Sequence, residues 1–217
     1  MHIFRADGLA SAALESAVRT FATRQGIMGR TVLDVGCGTM PYRSIFTALG
    51  ARYVGADIDG TPDLLVEADG TLPLDDESVD LVVSFQVLEH VRDVPAYLAS
   101  ARRVLRKDGR MFLSTHGVWP YHPHPTDYWR WTRDGLRLAL EDAGFRIHRI
   151  TPLCGPAAWL PMFPLLVFKK LLGPLWGLFA PVNLCCNLLA GLADRLTPTQ
   201  LRETNAAIFA VELSRDT

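Results

Sequence analysis

Apolar and polar positions follow two rhythms in the first two thirds of the chain. Leu14, Ala17, Val18 and Phe21 recur at helical spacing and predict an amphipathic opening helix within residues 1–30. After it, short apolar runs of strand type alternate with longer helical stretches. "TVLDVG" predicts a first strand, and "PYRSIFTALG" a helix ended by Gly50. "RYVGADI" predicts a second strand, "DLLVEAD" a weaker third and "VDLVVSF" a strong fourth. The next helix takes Asp93 as its cap and Pro95 in its first turn. It aligns Val94, Leu98, Ala101 and Leu105 on one stripe and stops before Gly109. "RMFLST" is the fifth strand, a helix capped by Thr132 and ended by Gly144 follows, and "FRIHRI" is the sixth. "NAAIFAVELS" reads as one more strand. This alternation predicts a parallel sheet with helices on both faces.

Between the sixth and last strands the rhythm breaks. Residues 152–168 and 171–193 carry no charge, and only Lys169 and Lys170 separate them. The second run, 23 residues, is long enough to cross a bilayer. Pro174, Pro181, Asn183 and Asn187 interrupt it, however, and Pro152, Pro156, Pro161 and Pro164 break the first run. A single crossing would also put the last strand on the wrong side of the membrane. The segment is therefore expected to form short helices over the mouth of the site, with Trp159, Phe163, Trp176 and Phe179 near an exposed apolar face. A membrane interface, a lid for a greasy substrate, a dimer contact and an ordinary buried subdomain all remain open for it.

Composition narrows the field. A 217-residue chain suits one domain with a full core. Its net charge of −1 gives no field that would draw it onto nucleic acid. The arginines of "ARRVLRKDGR" read as a solvated helix face. Cys37, Cys154, Cys185 and Cys186 lack zinc-ribbon or redox spacing, so reduced thiols in a cytoplasmic protein are expected. The first twenty residues show no basic region followed by an apolar run, so no signal peptide is expected there.

Chemistry enters at "VLDVGCG". Gly36 and Gly38 let a backbone turn approach a ligand at the end of the first strand, where open α/β sheets bind. The second strand ends in Asp57, a carboxylate able to accept both hydroxyls of a ribose. Thr39, Met40 and Pro41 follow the turn, and no third glycine is present to seat a pyrophosphate. With "YVGADID", "ADGTLPLDDESVDLVVSFQVLEHV" and "VLRKDGRMFLST", the chain resembles the class I S-adenosylmethionine-dependent methyltransferases over residues 31 to about 151. It is most similar to their small type 11 enzymes.

The resemblance implies roles. Asp34 and the backbone of Gly36, Cys37 and Gly38 would hold the amino acid end of S-adenosylmethionine. Asp57 would bind the ribose and Ile58 cover an adenine face. Asp69, with Gly70 beside it, would accept from the adenine amino group. Phe85 and Gln86 would line the sulfonium end. Glu89 and His90 in "LEH" invite reading as an acid–base pair, but relatives carry similar residues there structurally, and that role is expected here.

"HGVWPYHPHPTDYWRWT", residues 116–132, leaves from the carboxyl end of the fifth strand and is placed to form the acceptor pocket. His116, His122, His124 and Asp127 are the residues expected to touch the acceptor, one of them removing a proton if it is a hydroxyl. Trp129, Arg130 and Trp131 are expected to pack. The same histidines with Asp127 could ligate zinc, but no thiol joins them, prolines stiffen the loop and methyl transfer from a sulfonium needs no metal. A metal-free site is expected.

The sequence thus predicts a single α/β, Rossmann-like domain with a parallel sheet, one antiparallel C-terminal strand and an apolar helical insert before it. Its parts are an N-terminal helix (1–30), a cofactor-binding core (31–151), the insert (152–204) and a final strand (205–213). The expected activity is methyl transfer from S-adenosylmethionine to an O, N or C atom of an apolar small molecule, lipid or lipid-linked glycan. Residues 152–193 would make peripheral contact with the inner face of the membrane or join a homodimer. The rivals are a non-catalytic binding protein and an enzyme that uses the same cofactor for another outcome. Asp34, Asp57 and Asp69 count against the first.

Overall fold

The computed structural model describes residues 7–67 and 70–216. Helix α1 (Gly8–Gln25) leads into β1 (Thr31–Val35), α2 (Arg43–Ala48), β2 (Arg52–Asp57) and a two-residue β3 (Leu64–Leu65). Then come β4 (Val79–Phe85), α3 (Val94–Val104), β5 (Leu105–His116), α4 (Arg133–Asp142) and β6 (Phe145–Leu153). Helices α5 (Pro156–Leu172), α6 (Ala180–Leu196) and α7 (Thr199–Thr204) precede β7 (Ile208–Arg215). The strands of the described residues form one sheet in the order β3-β2-β1-β4-β5-β7-β6. Their pairings are parallel except the two made by β7. The order reverses between β1 and β4, which opens a crevice at their carboxyl ends.

Strand alternation divides the core into two layers. Leu33, Val82 and Met111 face α3 and α4 through Leu98, Leu136 and Leu140. Val32, Leu81 and Phe112 face α1 and α2 through Val18, Phe21 and Phe46. The predicted caps form: Asp93 accepts from the Ala96 amide (3.0 Å) and Thr132 from the Gly135 amide (3.1 Å).

Several boundaries differ from the sequence pattern, the final strand among them, which runs Ile208–Arg215 instead of 205–213. Helix α3 ends at Val104, and Leu105 starts β5 instead of completing the helical stripe, because Leu105 pairs with Val79. The carbonyls of Arg103 and Val104 accept from Glu77 and Ser78, which draws the chain off the helix. Strand β6 runs three residues past Ile150, since Thr151, Pro152 and Leu153 pair with Ala210, Phe209 and Ile208. It is an edge strand, where a proline is tolerated. The third strand shrinks to Leu64–Leu65.

The insert leaves and returns at one sheet edge. Leu153, the last residue of β6, pairs with Ile208, the first of β7, and Ile208 also pairs with His116 at the end of β5. The insert and the histidine loop therefore start from the same row. Helices α5 and α6 pack together and are joined by a 3-10 stretch, Gly173–Phe179. Ala158 and Met162 bury their side chains with Ala10, Cys154 and Ile208. Trp159 and Phe163 do not join the exposed face as expected. The Trp159 indole N–H donates to the Asn205 carbonyl (2.9 Å), and Phe163 stacks on Trp159 (5.1 Å between centroids). An indole donor needs a partner, and the end of α7 supplies one. Aliphatic residues and Phe168 make most of the outer face, with Leu171 74% and Leu178 79% exposed.

Candidate active site

The glycine turn is tied to the end of β2. The Gly36 and Cys37 amides donate to the Ala56 carbonyl (2.8 and 3.1 Å), and the Gly38 amide donates to Asp57 Oδ2 (2.7 Å). Gly36 has φ +76°, and a Cβ there would lie 2.8 Å from Val87 Cγ1 and closer still to Cγ2. Only glycine fits both conditions. Asp57 Oδ1 accepts from the Ile58 amide (2.8 Å), so two backbone donors aim the carboxylate. Its remaining lone pairs can still take hydroxyl donors. Ile58 is 61% exposed beside it.

Asp34 lies one residue before the end of β1 and is buried. The Tyr53 hydroxyl donates to its Oδ2, while Oδ1 is buried without a partner among the described residues. Burial pushes this carboxyl up to about 7, against the lowering effect of the Tyr53 bond. Such an orphaned acceptor beside a glycine turn is what the ammonium of an amino acid moiety requires. The neighbouring Cys37 thiol is pushed up to about 12 by burial and then by Asp34, so it is not a nucleophile at neutral pH.

Across the crevice, Gln86 takes φ +57° where β4 ends. Its amide donates to the Ser114 carbonyl (2.9 Å) and its Nε2 to Ser114 Oγ (2.9 Å), leaving a buried Oε1 without a hydrogen-bond partner among the described residues. Phe85 packs edge-on to Tyr42 (4.6 Å) and beside Phe112. The Gly70 amide donates to the Glu67 carbonyl (2.8 Å). Asp69, the expected adenine partner, lies outside the described residues.

The histidine loop folds back over the end of β5. The Glu89 carbonyl accepts from the Tyr128 and Trp129 amides, and the His116 carbonyl from the Trp131 amide. Arg130 donates to both oxygens of Asp127 (2.6 Å each) and to the carbonyls of Trp119 and Pro120 (2.8 Å each). Asp127 Oδ2 also accepts from the His122 amide (2.8 Å). The Arg130 bonds hold the Asp127 carboxyl far below the usual carboxylate range. Asp127 is thus the loop's staple and a poor proton acceptor, which corrects the catalytic role expected for it. His124 is exposed, its ring 6.5 Å from that of His90, and it does not join the other two histidines. Trp129 and Trp131 turn away to line a cleft of about 740 Å³ between α3 and α4; Trp131 packs against the core, whereas Trp129 is 42% exposed.

His116 and His122 do come together, and they meet Glu89. His116 Nδ1 lies 2.7 Å from Glu89 Oε1 without hydrogen-bond alignment, and the two imidazole centroids are 4.7 Å apart. Glu89 is fully buried, and its Oε2 accepts from the Thr115 hydroxyl (2.8 Å). Burial opposes its ionisation, but the close contact with His116, the charge of that imidazole and, after these, the Thr115 bond outweigh it and hold the carboxyl below its ordinary value. Burial, and then the charge of His116, push His122 down to about 4, so this imidazole is neutral at physiological pH. Trp119 stacks on His116 (4.5 Å) and meets Phe163 of α5 edge-on (5.9 Å). His90 Nδ1–H donates to the Thr126 carbonyl (2.6 Å), a role in holding the loop.

A family model described as a methyltransferase domain matches residues 7–150. The chain belongs to the class I S-adenosylmethionine-dependent methyltransferase family. An uncharacterized methyltransferase of Mycobacterium ulcerans is 36% identical, the match covering 52% of this chain and 50% of the relative. A probable S-adenosylmethionine-dependent methyltransferase of Mycolicibacterium smegmatis is 32% identical over 55% of this chain and 53% of its own. The chain spans about half the length of these curated relatives. In fold it is similar to the crystal structure of an S-adenosylmethionine-dependent methyltransferase from Mesorhizobium loti. That likeness has a TM-score of 0.55 at 18% identity and covers 88% of this chain and 93% of the other.

Sequence reading of this methyltransferase-family chain missed Tyr53 and Glu89. Tyr53 shares its strand with Asp57, and nothing in the pattern pairs it with Asp34. Glu89 is expected only in the structural role that relatives give this position, and the residues it faces, His116 and His122, lie 27 and 33 positions later in the chain.

Proposed function

We propose that this protein transfers a methyl group from S-adenosylmethionine to an O, N or C nucleophile of an apolar acceptor: a small molecule, a lipid or a lipid-linked glycan. The observation that carries the methyl-transfer reading is the buried, unpartnered Oδ1 of Asp34 beside the Gly36–Gly38 turn and the oriented Asp57. Bound cofactor supplies an electrophilic methyl on a sulfonium. Asp34 and the turn would hold its amino acid end, Asp57 its ribose, and Ile58, Asp69 and Gly70 its adenine. Phe85 and the Gln86 side chain would line the sulfonium end. Their aromatic face and amide oxygen suit a cation.

Acceptor activation falls to Glu89, His116 and His122. Trp119 and the surrounding loop keep this cluster largely out of water, which strengthens its polar contacts. The apolar character of the acceptor is supported by the hairpin of α5 and α6, whose base meets the loop through Trp119 and Phe163. Pro156–Leu196 is long and apolar enough to cross a membrane by length and composition, and little of it is buried. Because both its ends return to one sheet edge, we read it as a hairpin lying in the cytoplasmic face of a bilayer. A homodimer through the same surface is the other reading. Titration of the protein with S-adenosylhomocysteine, followed by incubation of labelled S-adenosylmethionine with a membrane lipid extract, tests the function. Micromolar binding and label in the organic phase are expected. Absence of cofactor binding would overturn the methyl-transfer reading.

A further inference from the structure

We propose that Glu89, His116 and His122 form a binding site for a divalent transition-metal ion, zinc(II) foremost. One nitrogen or oxygen from each of the three side chains lies within 4.8 Å of the other two. Glu89 Oε1, His116 Nδ1 and His122 Nδ1 are all buried and make no hydrogen bond among the described residues. Glu89 Oε1 and His116 Nδ1 are a close ion pair (2.7 Å), and His122 Nδ1 has only a distant contact to Asp127 Oδ2 (3.6 Å), so a cation gathered by the three side chains would supply the partners that this largely buried cluster lacks. Two imidazoles and a carboxylate suit zinc, and three protein ligands leave a position open for water or acceptor, the pattern of a reactive rather than a purely structural ion.

The surroundings have the form of an outer ligand shell. The Thr115 hydroxyl fixes the second oxygen of Glu89, Trp119 stacks on His116, and the amide of His122 is anchored on Asp127. The sequence offers His116, His122, His124 and Asp127 as conceivable zinc ligands but favours a metal-free site. The structure leaves His124 exposed and commits Asp127 to Arg130, while Glu89 takes their place from the far side of the crevice. The amide of Gln86, three residues before Glu89, is bound to Ser114, two residues before His116, so the ion would lie near the end of the crevice assigned to the sulfonium. On the methyl-transfer reading the ion would hold and polarise an oxygen or nitrogen of the acceptor. The site itself does not depend on that reading.

The experiment uses the full chain, purified without a histidine tag, stripped with chelator and reloaded with zinc or cobalt(II). Elemental analysis should find one ion per chain, and the cobalt form should show the visible absorption of a low-coordinate nitrogen–oxygen site. Glu89→Gln and His122→Asn should each weaken zinc binding at least tenfold in calorimetry, while the exposed His124→Ala should leave it unchanged. Circular dichroism and S-adenosylhomocysteine binding establish that each variant is folded. His122→Asn, at a partly exposed position, serves if the buried Glu89 variant does not fold. Substoichiometric zinc, or affinity indifferent to both variants in folded protein, would overturn the site. Zinc bound without S-adenosylhomocysteine would instead sink the methyl-transfer reading and leave the site standing.

Discussion

Arg130 grips Asp127 through two parallel bonds of 2.6 Å, and the same guanidinium reaches the carbonyls of Trp119 and Pro120. One side chain thus closes the loop that carries His122. A lysine cannot make the paired contact. Arg130→Lys should therefore cost about 2 kcal/mol in urea denaturation at pH 7. Asp127 is held below its ordinary range, so the stability it contributes is present above the unfolded value near 4 and lost only as pH falls through the lower folded value. The cost of Arg130→Lys should accordingly be nearly the same at pH 5 as at pH 7.

Asp34 gives the opposite sign. Its carboxyl is raised to about 7 by burial, so between about 4 and 7 the folded state binds more protons than the unfolded state. Stability therefore falls as pH rises through that window. In the absence of cofactor, Asp34→Asn should stabilise the protein at pH 8 by roughly 2 kcal/mol, and by less at pH 5. The same change should weaken S-adenosylhomocysteine binding at pH 8. Denaturation and calorimetry at the two pH values check both halves.

Asp57 orients the glycine turn as well as facing the proposed ribose site. Asp57→Ala should lose about 2 kcal/mol of S-adenosylhomocysteine affinity, some thirtyfold. Asp57→Asn, which keeps one acceptor oxygen for the Gly38 amide, should lose less. Equal affinity in the alanine variant and the parent would remove Asp57 from the cofactor site.

Gly36 and Val87 are too close for a methyl group between them. Gly36→Ala should destabilise the fold by about 2 kcal/mol through this overlap and the positive φ. Adding Val87→Ala should recover part of the loss, because it relieves the overlap but not the backbone strain. Thermal denaturation of the single and double variants separates the two contributions.

The outer face of the α5–α6 hairpin should bind vesicles. Leu171→Glu with Leu178→Glu alters two side chains that are 74% and 79% exposed, so the fold should persist. Flotation of the parent protein with phosphatidylglycerol-containing liposomes should be lost in the variant. A parent that stays out of the lipid fraction, or elutes as a dimer disrupted by the same changes, would favour the other readings of this face.

The strands, the caps at Asp93 and Thr132, the glycine turn and the acidic end of β2 were legible in the sequence. Each depends on neighbours in the chain: alternation sets a strand, a side chain reaches an amide three residues on, and a glycine allows a turn. The sequence also determined that a largely apolar segment enters and leaves at one sheet edge, because the strands on either side of it have fixed directions. Tertiary structure alone decided which polar groups share a cavity. Tyr53 meets Asp34 because parallel pairing sets β1 beside β2, and Glu89 meets His116 because β4 lies beside β5. The same three-dimensional neighbourhood assigned Asp127 to Arg130 and turned Trp159 and Phe163 inward. Buried donors and acceptors take whatever partner folding brings within reach, and distance along the chain does not encode that.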